Sequence, residues 1–289
     1  MKIVRILGGL GNQMFQYAFA LALQKRFQQE TIQIDPSAFN GYPLHSGYQI
    51  KEIFGEHLPT ASKKDILKVN YPYFHYRLWQ IGKRILPKLK SVKWEVEDMV
   101  YDESIFNLQT TDLYFDGYWQ TERYFNSYRE LIIEKLAFPE LDPKNKGFME
   151  RFKGENIVSV HVRRGDYLKE PLFKGLTDLD YYKRAIAEIS RRIQVDAFLI
   201  FSNDITWCRE NITPLCKVKC EFIDWNTGRE SYRDMQLMSL SSHNIVANSS
   251  FSWWGAWLNP NPKKIVIAPR KWINRPTPND IIPDSWLRI

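Results

Sequence analysis

Cysteine is scarce in this 289-residue chain, and the three present make no recognisable framework. Cys208, Cys216 and Cys220 share one short stretch, and an odd number at such gaps argues against a secreted disulfide scaffold. The gaps do not match a zinc site either, and no nearby histidine completes one. A reduced, cytoplasmic protein is the expectation. The sequence also lacks any apolar run suited to crossing a bilayer. The uncharged stretch from Ile6 to Gln24 follows Lys2 and Arg5 and imitates a signal peptide. Gly8, Gly9, Gly11, Asn12, Gln13 and Gln16 break it up too often for that, so it reads as a strand, a polar turn and a helix. Acidic residues are in the minority, 33 Asp and Glu against 40 Lys and Arg, for a net charge of +7. A basic balance suits an anionic partner, but no RNP-type, zinc-finger or helix-turn-helix signature supports nucleic acid. The densest basic run, Lys83 to Lys93, is expected to be a solvated face; peripheral contact with the inner face of a membrane is the alternative.

Core material is not lacking. Hydrophobic residues make up 44% of the chain and aromatic residues 15%, including ten tryptophans. Most such rings serve packing, with stacking on sugars and bases as their second use.

Along the chain, Lys2 to Leu7 has strand character and ends at a glycine-rich turn. Met14 to Phe27 carries Phe15, Ala18, Phe19, Ala22 and Leu23 at helical spacing, and Thr31 to Ile34 is a second strand. This opening β-turn-α-β unit puts its turn at the carboxyl end of a strand, the edge where open α/β sheets bind ligands. Residues 40 to 135 are rich in aromatics and read less clearly, with a helical pattern over Thr121 to Leu136. Pro139 to Gly147 is the best linker candidate. Beyond it, strands at Asn156–Val162, Asp196–Phe201, Asn244–Ala247 and Lys264–Ala268 alternate with helical patterns. The helices expected there are Asp180–Ile193, a short one from Ile205, Glu230–Ser241 and Ser250–Leu258. Such alternation implies a parallel sheet covered on both faces. The Pro-rich end of the chain, from Asn259, is expected to wrap the surface. Two α/β domains follow, 1–140 and 148–289, with a cleft expected between them.

Chemistry concentrates at His161-Val-Arg-Arg-Gly-Asp-Tyr167. Alternation along the preceding strand puts Val158, Val160 and Val162 on one face and His161 and Arg163 on the other. Two guanidiniums at the end of a parallel strand form an anion site, since each planar fork can bind phosphate oxygens in pairs. Gly165 would let the backbone turn close to a ligand, and Asp166 beside the arginines should stay ionised. A surface Arg-Asp ion pair is the plainer alternative. Asn12, in the glycine-rich turn, could hydrogen-bond a ligand, with a helix cap as its plainer role. Ser202, Asn203 and Asp204 could meet a ribose or base edge, or cap the helix that follows. Met235 to Pro262 holds many Ser and Asn but no formal charge apart from His243. Buried, that polar wall must find partners, and a nucleotide could supply them. Asp178 and Asp180 imitate a metal-binding pair but are better placed as helix caps, so no metal site is expected.

Gly8 to Ala20 (GGLGNQMFQYAFA), His161 to Tyr167, Phe201 to Asp204 (FSND) and Asn248 to Asn259 (NSSFSWWGAWLN) resemble glycosyltransferase family 11, the α-1,2-fucosyltransferases. The four segments occur in family order and span nearly the whole chain. The resemblance implies a GT-B-like α/β fold, two Rossmann-like domains facing across a cleft, with the acceptor side in the first domain and the GDP-sugar on the second. It implies inverting, metal-independent transfer of L-fucose from GDP-β-L-fucose to the 2-hydroxyl of a terminal galactose. GDP-fucose would be a co-substrate, without a resident cofactor, and the acceptor a galactose-terminated oligosaccharide or lipid-linked glycan. Another linkage, another GDP-sugar or a non-catalytic sugar-binding module are the alternatives. Arg163, Asp166, Asn12 and His161 are the expected catalytic residues. Donor contacts are expected from Gly9, Gly11, Arg163, Arg164, Ser202, Asn203, Asp204, Asn248, Ser249, Ser250 and Phe251. Arg163 would stabilise the leaving diphosphate, while Arg164 shares it or braces the loop. The proton acceptor is open among Asp166, His161 and a phosphate oxygen of GDP, with Asp166 slightly ahead.

Overall fold

The computed structural model describes residues 1–110, 112–168, 170–276 and 280–289, with the side chains of Asp166 and Leu168 outside that description. The chain divides into two compact units, residues 1–139 with 279–281, and residues 140–278 with 282–289.

The first unit opens with β1 (Lys2–Arg5), α1 (Leu10–Arg26) and β2 (Ile32–Asp35). Helix α1 starts at Leu10, ahead of the expected Met14, because the Gly9 carbonyl accepts the N–H groups of Asn12 and Gln13. Nearly every residue of α1 from Leu10 to Leu23 is buried, which explains a stretch without charges. Its two buried glutamines tie loops to the helix. Gln13 donates to the carbonyls of Gly8 and Gly47 and accepts from the Gln49 N–H. Gln16 accepts from the Leu7 N–H and donates to the Gly117 carbonyl. The less legible region contains α2 (Ile50–Phe54), α3 (Lys63–Val69), α4 (Tyr76–Ile85), β3 (Val92–Trp94) and β4 (Leu113–Asp116). The helical pattern over Thr121 to Leu136 resolves into two single 3₁₀ turns and then α5 (Arg129–Lys135). The sheet is wholly parallel in the order β2-β1-β4-β3.

The second unit begins with α6 (Pro143–Glu150) inside the expected linker. Asp142 caps this helix through the N–H groups of Lys144 and Asn145, and Pro143 sits in the first turn, so a Pro-rich segment starts a helix. It continues through β5 (Ile157–Val162), α7 (Leu179–Arg192), β6 (Ala197–Ser202), α8 (Ile205–Asn211) and β7 (Lys219–Ile223). Then come α9 (Tyr232–Leu240), β8 (His243–Ile245), α10 (Ser250–Trp257), β9 (Val266–Ala268) and β10 (Leu287–Arg288). The Pro-rich tail therefore adds a strand, paired with β9. All six strands are parallel, in the order β10-β9-β8-β5-β6-β7. Val158, Val160 and Val162 pack with Tyr182, Ala185 and Ile186 of α7 on one face. Ile157, Leu199 and Phe201 pack with Phe148 of α6 and Leu237 of α9 on the other. The sheet is thus covered on both sides, as alternation required. Strand order runs outward from β5 through β6 to β7, then returns to the opposite side of β5 with β8. Loops leaving the carboxyl ends of β5 and β8 therefore part company, which is where such sheets hold ligands.

Candidate nucleotide-sugar site

The loop after β5 is built around Gly165, whose φ of +56° lies in the left-handed region. A Cβ there would come within 2.6 Å of the Asn203 amide nitrogen. The close approach joins two loops, because the Asn203 Oδ1 also accepts the Arg164 N–H at 3.0 Å. The Arg164 guanidinium lies 3.9 Å over the Trp207 ring and pairs with the Asp204 carboxylate at 3.2 Å. Arg164 is thereby braced. Asp204 also accepts the Trp207 N–H to cap α8, and its own N–H donates to the Ser202 hydroxyl. The Ser202-Asn203-Asp204 segment thus supports the arginine loop and starts a helix at once. Arg163 is half-buried, its guanidinium 5.2 Å over Tyr167, which stacks on Phe173 with centroids 4.5 Å apart. The Asp166 side chain, expected as a candidate base, lies outside the described residues.

His161 sits on the sheet face opposite the valines, with its ring 5.9 Å from Phe251 of α10. The Tyr182 hydroxyl donates to its carbonyl at 3.0 Å, while the ring Nδ1 is buried without a hydrogen-bond partner. Burial, reinforced by Arg163, lowers its pKa to about 3. The imidazole is neutral at physiological pH and holds a proton too weakly to serve well as a base.

Across the switch from β5, two asparagines of the polar wall bond within the protein. Asn244 donates to the Ser159 hydroxyl and the Met238 carbonyl, and accepts from Asn259. Asn248, expected to contact the donor, spends its amide on the Trp272 carbonyl and its Oδ1 on the Thr177 hydroxyl. Asn244 and Asn248 are thus both tied to neighbouring segments of the second unit. Ser249 caps α10 by accepting the Phe251 N–H, and Ser250 and Phe251 are half-buried at the start of that helix. Trp253, Trp254 and Trp257 are core residues.

In the first unit, the glycine-rich turn lies at the carboxyl end of β1, beside β4. Gly8 has a φ of +97°, and a Cβ there would meet the Asn12 side chain at 3.0 Å. Gly9 is the backbone cap of α1 and Gly11 is buried within it, so Asn12 is not the cap. Instead the Asn12 Oδ1 accepts from the Gln120 amide at 2.8 Å. Gln120 belongs to the loop after β4, which Glu95 holds by accepting the N–H groups of Tyr118 and Trp119 at 2.6 and 3.1 Å. Sequence reading missed Gln120, Glu95 and Trp207. Nothing local marks the first two, which reach Asn12 only through strand order. Trp207 stands within the first turn of α8, where an aromatic reads as core.

The whole chain, residues 1–289, matches the family profile described as Glycosyl transferase family 11. It is 35% identical to an α-1,2-colitosyltransferase of Escherichia coli over 294 residues, covering 99% of this chain and 98% of that protein. An O-antigen biosynthesis glycosyltransferase of the same organism is 30% identical over 98% of both chains. Galactoside α-(1,2)-fucosyltransferase 2 of Mus musculus is 24% identical over 88% of this chain and 67% of that one. Among solved structures, an α-1,6-fucosyltransferase soaked with GDP-fucose superposes with a TM-score of 0.51 at 16% identity, covering 90% of this chain and 92% of the other; it shares the fold. Two parallel-sheet units and a family match from end to end leave one assignment: this chain belongs to glycosyltransferase family 11.

Proposed function

We propose that the protein transfers L-fucose from GDP-β-L-fucose to the 2-hydroxyl of a terminal galactose in a free or lipid-linked glycan. Transfer proceeds with inversion at the sugar and needs no metal ion. The observation carrying this reading is Arg163, a half-buried cation at the carboxyl end of β5 beside the switch in strand order. A diphosphate leaving group needs positive charge fixed before the bond breaks, and a guanidinium there supplies it. Arg164, stacked and paired, keeps the loop in place. The 1,2 linkage rests on relatives named for it, both bacterial and mammalian. Proton acceptance falls to Asp166 or to a phosphate oxygen of the donor, because the His161 ring is too weakly basic. Asn12, fixed by Gln120, would bond donor or acceptor from the first unit.

A second reading, transfer of colitose, is favoured by the 35%-identical relative. Colitose lacks the 3-hydroxyl of fucose, so the two donors differ by one hydroxyl. Release of GDP from GDP-fucose, GDP-colitose and GDP-mannose, with β-galactosides as acceptors, separates the readings. Fucosyl transfer that survives EDTA is expected. Arg163→Ala should lower kcat by about a hundredfold or more with the thermal midpoint kept. Turnover with neither deoxy sugar, or full activity of Arg163→Ala, would defeat the proposal.

A further inference from the structure

Exposed large apolar residues are scattered singly over most of the chain, but four of them, Leu78, Ile81, Ile85 and Leu86, fall on α4 and its end. They are 54%, 57%, 72% and 39% exposed. Leu78, Ile81 and Ile85 follow helical spacing and form one stripe. The core side of the same helix is already occupied by Trp79 and Gly82, both buried. A Cβ on Gly82 would come within 2.2 Å of the Tyr73 ring, so that side is tightly packed. The outer stripe therefore has no use inside the first unit. Around it lie Arg77, Lys83, Arg84, Lys88, Lys90 and Lys93, while Tyr76 to Trp94 contains no Asp or Glu. Among the described residues, Arg77, Arg84, Lys88 and Lys90 make no ion pair.

From this we infer that α4 and the turn after it dock on an anionic lipid bilayer. A helix with apolar side chains on its outer face and cations beside them lies in the interface, its chains among the acyl groups and its charges at the phosphates. Long Lys and Arg stems allow both contacts at once. Charge decides against a second copy of the chain as occupant. A two-fold contact through this face would set the same cations against each other with no carboxylate between. The surface goes beyond the transfer reaction and does not depend on which sugar is transferred.

Sedimentation of the full chain with vesicles tests the inference. Vesicles of equal parts phosphatidylcholine and phosphatidylglycerol should pull it down, and phosphatidylcholine alone should not. Replacing Arg77, Arg84 and Lys88 by Gln should weaken binding roughly a hundredfold. The pair Ile81→Glu and Ile85→Glu should abolish it, with the thermal midpoint of each variant near that of the parent because all five side chains are exposed. Failure to bind the mixed vesicles, binding unchanged in both variants, or a dimer that the Glu pair dissolves without any lipid binding would each overturn it.

Discussion

Glu95 follows β3 directly and carries a carboxyl into the interior of the first unit. Burial pushes its pKa up from 4.5 to about 7, against the pull of the backbone N–H groups it accepts. Below the ordinary carboxylate value both the folded and unfolded chains hold this proton, so the group has no differential effect. Between about 4.5 and 7 the folded chain keeps a proton that the unfolded chain releases, and stability falls as pH rises through that window. The loss is at most about 3 kcal/mol. Glu95→Gln removes this proton while keeping one acceptor for the Tyr118–Trp119 turn. Urea unfolding from acid to neutral pH should therefore show the parent losing stability relative to the variant. Asp234, also raised to about 7, and His161, lowered to about 3, titrate alike in both proteins and cancel in the difference. A gap that stays constant with pH would mean that Glu95 does not bind its proton in the folded state. Activity should follow too, because the turn it holds positions Gln120 and through it Asn12.

At the scale of elements, Asp204 is both the cap of α8 and the partner of Arg164, and two substitutions separate these roles. Asp204→Asn keeps a capping oxygen but loses the ion pair, so stability should change little while KM for the donor rises several-fold. Asp204→Ala loses both, and about 1 kcal/mol of stability should go with the cap. Equal donor affinity in the two variants and the parent would show that bracing Arg164 is unimportant. Elements like β5 and α7 were legible because their periodicity is unbroken: Val158, Val160 and Val162 alternate, and Tyr182, Ala185, Ile186 and Ile189 recur at helical steps. Strands β3, β4 and β7 are less legible because they are only three to five residues long; neighbouring strands rather than their own pattern define them. Helix α6 was hidden because its Pro and Asp read as turn residues until the cap geometry shows that they start a helix. At the site, Arg163 and Gly165 were marked by local pattern, whereas the bonds of Asn203 to Arg164 and Gln120 to Asn12 join loops distant in sequence.

On the whole-molecule scale, each unit has its own parallel sheet, and in each the strand order reverses beside its first strand, β1 or β5. The loops proposed to hold the donor, Arg163–Gly165, Ser202–Asp204 and Ser249–Phe251, all belong to the second unit, and the Gly8–Asn12 turn belongs to the first. If GDP is held by the second unit, as proposed, GDP alone should slow amide exchange in those loops and leave the first unit near its unliganded rates. At a hundredfold excess over its dissociation constant, GDP should add about 2.7 kcal/mol to the second unit's resistance to unfolding. Arg163→Ala should remove most of that gain, because the charge opposite the diphosphate is gone. Strong protection of the glycine-rich turn by GDP alone would instead assign the nucleotide to the first unit, and the roles proposed for Arg163 and Asn12 would have to be exchanged. Peptide-resolved hydrogen exchange with and without GDP distinguishes the two arrangements in one experiment, without an acceptor and before the transferred sugar is known.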